Sequence, residues 1–158
     1  MENIIFQDED FAIVEVEEHK KGKYVRYLPS EGKFSVVVPF KKTMGKFVYL
    51  AKRELVLGWD NHPDLCSISL PVKYQPEVSA VHALKELTGV EFNQKALIHL
   101  GVCAASKRAD DTFYLFSMDL SHFEGELDDS LIWVDEKTLV EALDAQLVTA
   151  VARLKYIV

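Results

Sequence analysis

Apolar positions along this chain keep two periods, and where the period changes the secondary structure is expected to change with it. The first third alternates. Residues 11–17 set Phe11, Ile13, Val14 and Val16 among smaller or charged neighbours, the pattern of a half-buried strand. Residues 23–28 put Val25 and Tyr27 on one face. Residues 34–40 form an apolar run ending at Pro39, and residues 47–55 form another. Polar turns at 19–22, 29–32 and 41–45 separate these strands. The pattern predicts an antiparallel meander, with a short edge strand at 4–6 ahead of it.

A polar loop at 58–64 and an alternating stretch at 65–70 lead into the first helical period. Across residues 75–90, Val78, Val81, Leu84 and Leu87 recur every third residue beside Ala80 and Ala83, one stripe of an amphipathic helix. Pro76 suits the first helical position, where a missing N–H costs nothing, and Gly89 suits the left-handed position just past the end. Residues 95–105 and 112–120 are strand-like, with a charged loop at 106–111 between them. Residues 121–129 are acidic, and 131–134 form a short strand. Asp135 caps a helix to about 143, and residues 145–157 form a final amphipathic helix. Strands in this number, one central helix and a helical tail predict a single α+β domain over 1–158, an α-β-α sandwich on a mixed sheet. Antiparallel strands at 1–33 would precede a core at 34–158.

Composition narrows the classes. The 158 residues carry a formal charge of −7, which argues against a broad nucleic-acid surface and leaves room for a local basic pocket. Cys66 and Cys103 stand in apolar runs without metal-ligand spacing, so buried free thiols are expected. The first residues lack the basic and apolar regions of a signal peptide, and no apolar run approaches a membrane span. These features predict a cytoplasmic protein without membrane contact.

The helical stretch and its surroundings resemble the Nudix superfamily, in its ADP-ribose pyrophosphatase-like branch. The Nudix box runs glycine, five residues, glutamate, seven residues, then Arg-Glu-aliphatic-any-Glu-Glu-any-Gly-aliphatic. Leu84 matches the first aliphatic position, Glu86 the first paired glutamate, Gly89 the glycine and Val90 the last aliphatic. Residues 76–81 look like the family's Pro-Glu-x-Ala-Ala-x lead-in, and Leu70-Pro71 like the start of its loop. Residues 35–53, 100–119 and 132–134 are similar to its flanking strands. The box is degenerate: its arginine position holds His82, the next glutamate is Ala83 and the second paired glutamate is Leu87. Without gaps, the upstream glutamate and glycine positions fall on Tyr74 and Ile68.

The resemblance implies Mg²⁺-dependent pyrophosphate hydrolysis, with carboxylates at positions 83, 86 and 87 converging on the ion. Only Glu86 supplies oxygen there. The expected function is therefore binding of a nucleotide or nucleoside-diphosphate-linked ligand without conventional hydrolysis. One alternative is an active hydrolase with a relocated metal site; its catalytic candidates are Glu86, His82, Asp110 and Asp111, with Glu86 the candidate metal ligand. Mg²⁺ belongs only to that alternative. Another is a protein-binding regulatory scaffold. The resemblance places Lys52 and Arg53 toward the ligand, and Lys107 and Arg108 offer the same phosphate-matching charge. Trp59, Tyr74 and one of Phe113 and Tyr114 are candidates to stack on a base. The strands before residue 35 resemble an extension through which related proteins dimerise, so a homodimer is expected.

Overall fold

The computed structural model describes residues 1–9, 12–20, 22–28, 32–56, 62–104 and 109–158. In chain order the first strands are β1 (Glu2–Gln7), β2 (Ala12–Glu18), β3 (Gly22–Leu28), β4 (Lys33–Val37), β5 (Phe40–Thr43), β6 (Lys46–Val56), β7 (His62–Cys66) and β8 (Ile68–Pro71). Helix α1 (Pro76–Thr88) follows, then β9 (Ile98–Cys103), β10 (Ala109–Asp110), β11 (Thr112–Ser117) and β12 (Leu131–Val134). Helices α2 (Glu136–Leu139) and α3 (Ala145–Leu154) close the chain.

Alternation along β4, β6 and β11 decides the layering. Val36, Tyr49, Ala51 and Leu115 turn to one side, and their neighbours Val37, Leu50 and Phe116 turn to the other. All seven are at most 2% exposed, so these strands are covered on both faces. One core is completed by α2 and α3 through Leu139, Leu147, Ala150, Val151 and Leu154. The other is completed by α1 through Ala80, Ala83 and Leu84. The result is the expected α+β, α-β-α arrangement.

Three sheets carry it, in the orders β1-β2-β3-β10, β8-β4-β11-β9 and β12-β6-β5, with β7 also paired to β6. The predicted N-terminal antiparallel strands are present as β1, β2 and β3. The longer meander is not. β4 leaves β3 and lies between β11, which is parallel to it, and β8, which is antiparallel. The run at 34–40 divides at Val38 and Pro39: the Val38 N–H bonds back to Phe116 while the Pro39 carbonyl accepts from Leu50, so the chain changes sheets there.

The stretch at 65–70 also divides, at Ser67, whose N–H and hydroxyl both donate to the Asp144 carboxylate at 2.7 Å. Its first part belongs to β7, which begins within the predicted loop at 58–64. The other oxygen of Asp144 caps α3, accepting from Gln146 and Leu147. Asp64 reciprocates by accepting from the Leu143 N–H at 2.8 Å. Two carboxylates thus lock the β7–β8 corner to the start of α3. Asp135 caps α2 as expected, accepting from Thr138, but the helix stops at Leu139. Both cysteines are free and half-buried. No described helix is long and apolar enough to cross a membrane.

Gly32 has φ +78° and lies against the Asp110 carbonyl; an added Cβ would fall 1.7 Å from that oxygen. Gly32→Ala is therefore expected to destabilise the protein by about 3 kcal/mol or more, measured by urea unfolding, because both a left-handed backbone and a backbone clash oppose it.

Candidate ligand site

Helix α1 is placed by its ends and by its small residues. Pro76 occupies the first turn, and the Ser35 hydroxyl donates to its carbonyl at 2.6 Å, tying the start of α1 to β4. Gly89 has φ +70° and returns its N–H to the Lys85 carbonyl, ending the helix as predicted. Between these ends, Ser79, Ala80, Ala83 and Leu84 are buried. Three small side chains on that face let the helix lie close to the sheet. Leu84 is fully buried, a contribution of roughly 1.5–3 kcal/mol from its apolar surface alone.

This burial settles where the box positions point. Ala83 lies in the apolar cluster with Leu97, Met118, Leu120 and Leu131. Leu87 packs against the same cluster, as do Phe92, Phe123, Leu127 and Trp133. Position 83 is closed off by apolar side chains, and position 87 is half-covered by them. Glu86 and His82 project the other way. Their side chains are 55% and 59% exposed and meet at 3.1 Å between Oε1 and Nε2, one helical turn apart.

Beside this pair a groove of about 520 Å³ runs between α1 and the loop after β8. Leu70, Pro71, Val78 and Ser79 form its floor and walls, with Lys73 and Tyr74 at its edge. Tyr74 is 87% exposed, a ring open to stacking. Lys73 was missed by sequence reasoning; its position immediately ahead of the helix start was the available signal.

The other predicted residues separate. Lys52 and Arg53 face opposite sides of β6. Lys52 is directly across from Leu131 of the α1-side core, whereas Arg53 is across from Leu65 of the α3-side core, and directly opposed residues share a face. Lys52 pairs with Glu54 at 2.5 Å. Phe113 stacks on Phe34 at 5.3 Å within the α3-side packing, while Tyr114 packs toward α1. Asp110 faces Arg26 of the N-terminal sheet at 3.7 Å, and Asp111 beside it is buried. Trp59, Lys107 and Arg108 lie outside the described residues. The ring of Trp133 carries the Lys41 ammonium 4.4 Å from its centre, a cation–π contact on the α1 side of β12 that sequence reasoning did not single out.

A hard divalent cation needs several oxygens at one point. The helix offers one, on Glu86, and no cluster of three or more His, Cys, Asp or Glu converges among the described residues. This donor set does not fit Mg²⁺ held in the family's manner.

No protein-family model matches the sequence, and no curated protein matches it. Solved structures do match. The C-terminal domain of mouse MUTYH, solved in complex with human PCNA, aligns with a TM-score of 0.61 at 12% identity, over 79% of this chain and 88% of that one. An ADP compounds hydrolase aligns with a TM-score of 0.59 at 15% identity, over 99% and 93%. The NUDIX domain of Shewanella oneidensis NrtR, solved with ADP ribose, aligns with a TM-score of 0.57 at 15% identity, over 77% and 87%. At these identities the likeness is one of fold.

Two predictions follow from the burial pattern. Ala83→Glu is expected to cost about 3 kcal/mol or more in a denaturant melt, because it forces a carboxylate into an apolar cluster, whereas Glu86→Gln should stay within about 0.5 kcal/mol of the parent. Burial, helped by the charges of Asp144, Glu54 and Asp64, pushes the Cys66 thiol up to about 11. Near pH 8 its thiolate is then scarce, and iodoacetamide should label Cys66 roughly two orders of magnitude more slowly in the folded than in the denatured chain, read by peptide mass mapping.

Proposed function

We propose, from the premise of a Nudix-like fold, that this chain binds a nucleotide or nucleoside-diphosphate-linked ligand and does not hydrolyse it by the conventional Mg²⁺ route. The observation that carries this reading is the burial of Ala83, with a half-buried Leu87 packed beside it against apolar side chains. A phosphate-bridging metal held at that helix face would need carboxylates and water there. Methyl groups occupy the space instead. The fold matches include a domain solved with ADP ribose, which supports a ligand of that class.

The groove beside α1 supplies the contacts. Lys73 offers a point charge for phosphate, Tyr74 a ring for a base and Ser79 a hydroxyl, over an apolar floor from Leu70 and Pro71. His82 and Glu86 hold each other at one wall. Glu86 serves here as a shaping group, not as a metal ligand.

A second reading, a protein-binding module, has its own support in the surface. Ile4, Ile5 and Phe6 on β1 are between 46% and 60% exposed. An apolar segment of that kind on an edge strand favours association, and we read residues 1–33 as a homodimer contact.

A thermal-shift series tests the first reading. ADP-ribose is expected to raise the melting temperature equally with and without Mg²⁺, since binding alone stabilises the folded state. Lys73→Ala with Tyr74→Ala should abolish the shift, and chromatography should find the nucleotide intact. Mg²⁺-dependent turnover that disappears in Glu86→Gln would overturn the reading.

A further inference from the structure

The central sheet ends at β9, the last strand in the order β8-β4-β11-β9, and no described strand pairs with its outer side. An edge of this kind offers unpaired backbone groups to any extended chain that meets it, and folded proteins blunt it with charged side chains, proline or a cover. The opposite edge strand, β8, ends in Pro71. β9 reads Ile-His-Leu-Gly-Val-Cys and carries neither proline nor a lysine, arginine, aspartate or glutamate. Its side chains are also open: Val102 is 51% exposed, and the His99 side chain 61%. By its own sequence β9 is an unguarded strand.

The guard comes from α3. Arg153 lies in the last turn of that helix, 51 positions beyond Val102. Its Nη1 donates to the Leu100 carbonyl and to the Val102 carbonyl, both at 2.9 Å. That nitrogen carries two hydrogens, one for each acceptor. β11 pairs along the inner side of β9, so Arg153 meets both carbonyls on the side away from it. The β9 backbone is shaped for this contact. Leu100 and Gly101 stand together opposite the single Leu115, an extra residue that bulges the strand. Gly101 has φ +83°, and a Cβ built there would fall 3.1 Å from Nη1. A side chain at 101 would crowd the guanidinium, and glycine leaves it room.

We propose that Arg153 keeps the central sheet closed: while it holds the Leu100 and Val102 carbonyls, β9 cannot accept the β9 of a second copy. A second copy is the partner this edge fits. Two identical strands paired antiparallel about a twofold axis each meet the same uncharged edge, so no like charges on the strand oppose the pairing. The contact lies on β9 and does not rest on the homodimer reading of residues 1–33.

Sedimentation of the full chain, run beside hydrogen exchange, tests this. Arg153→Met keeps the aliphatic stem and removes the donors. It is expected to raise self-association at least about tenfold over the parent, with the amides of residues 98–103 gaining protection as concentration rises. Arg153→Gln keeps one amide donor group. It should associate more weakly than Arg153→Met, and it carries the test if the Met variant does not fold. Val102→Lys added to either variant puts a charge on the exposed edge and should return it to the parent's state. A variant with native circular dichroism that sediments as the parent does overturns the proposal. So does association that leaves residues 98–103 unprotected or that survives Val102→Lys. Loss of the fold in both Arg153 variants overturns it as well, because Arg153 would then hold the fold and not the edge.

Discussion

The close approach of α1 to the central sheet is the constraint on which the site depends. Ser79, Ala80 and Ala83 are small enough to bring the helix against β4 and β8, and the Ser35–Pro76 hydrogen bond fixes its start. Once that approach is made, rotation about the helix axis is no longer free. Positions 83 and 87 go inward and positions 82 and 86 go outward. A long or charged residue at 83 is incompatible with this packing, so the same contact that stabilises the fold removes the oxygen donors a metal would need. Architecture and chemistry here compete for one helical face, and architecture holds it.

Beyond the helix, the loop from 119 to 130 packs through its own apolar residues. Phe123 meets Phe92 in a tilted ring contact at 6.2 Å, and Leu127 packs against the same cluster as Leu87. The polar ends of this loop satisfy themselves locally: Asp119 accepts from Ser121, and Asp128 from Ser130. Two of the loop's carboxylates are thus engaged in turns.

Much of the fold was legible because it rests on local signals. Pro76 and Gly89 marked the ends of α1, Asp135 marked the start of α2, and alternation marked β2, β6 and β11. What stayed hidden was decided at a distance. Nothing near Ser67 announces that its N–H belongs to Asp144, 77 positions away, and that bond is what breaks the strand. Likewise nothing in residues 23–40 tells that β4 will take β11 as a parallel neighbour. The candidate site was half legible. Periodicity correctly assigned Leu87 to the packed stripe. The resemblance placed Lys52 and Arg53 together toward a ligand, but adjacent strand residues point to opposite faces and β6 parts them. Phe113 and Tyr114 divide for the same reason.

The junction at Gly32 has a mechanical meaning. Two parallel pairings meet beside it: β3 with β10 in the N-terminal sheet, and β4 with β11 in the central one. They are paired at Val25–Ala109 and Arg26–Asp110, and again from Lys33–Thr112 onward. The Thr112 N–H donates to the Gly32 carbonyl at 2.6 Å where they cross. A pull along the strand direction loads these parallel pairings in shear instead of unzipping them singly. The joint is therefore stiff along that axis. Force applied at the N-terminal sheet travels down β11 to Phe116, directly in the layer on which α1 rests.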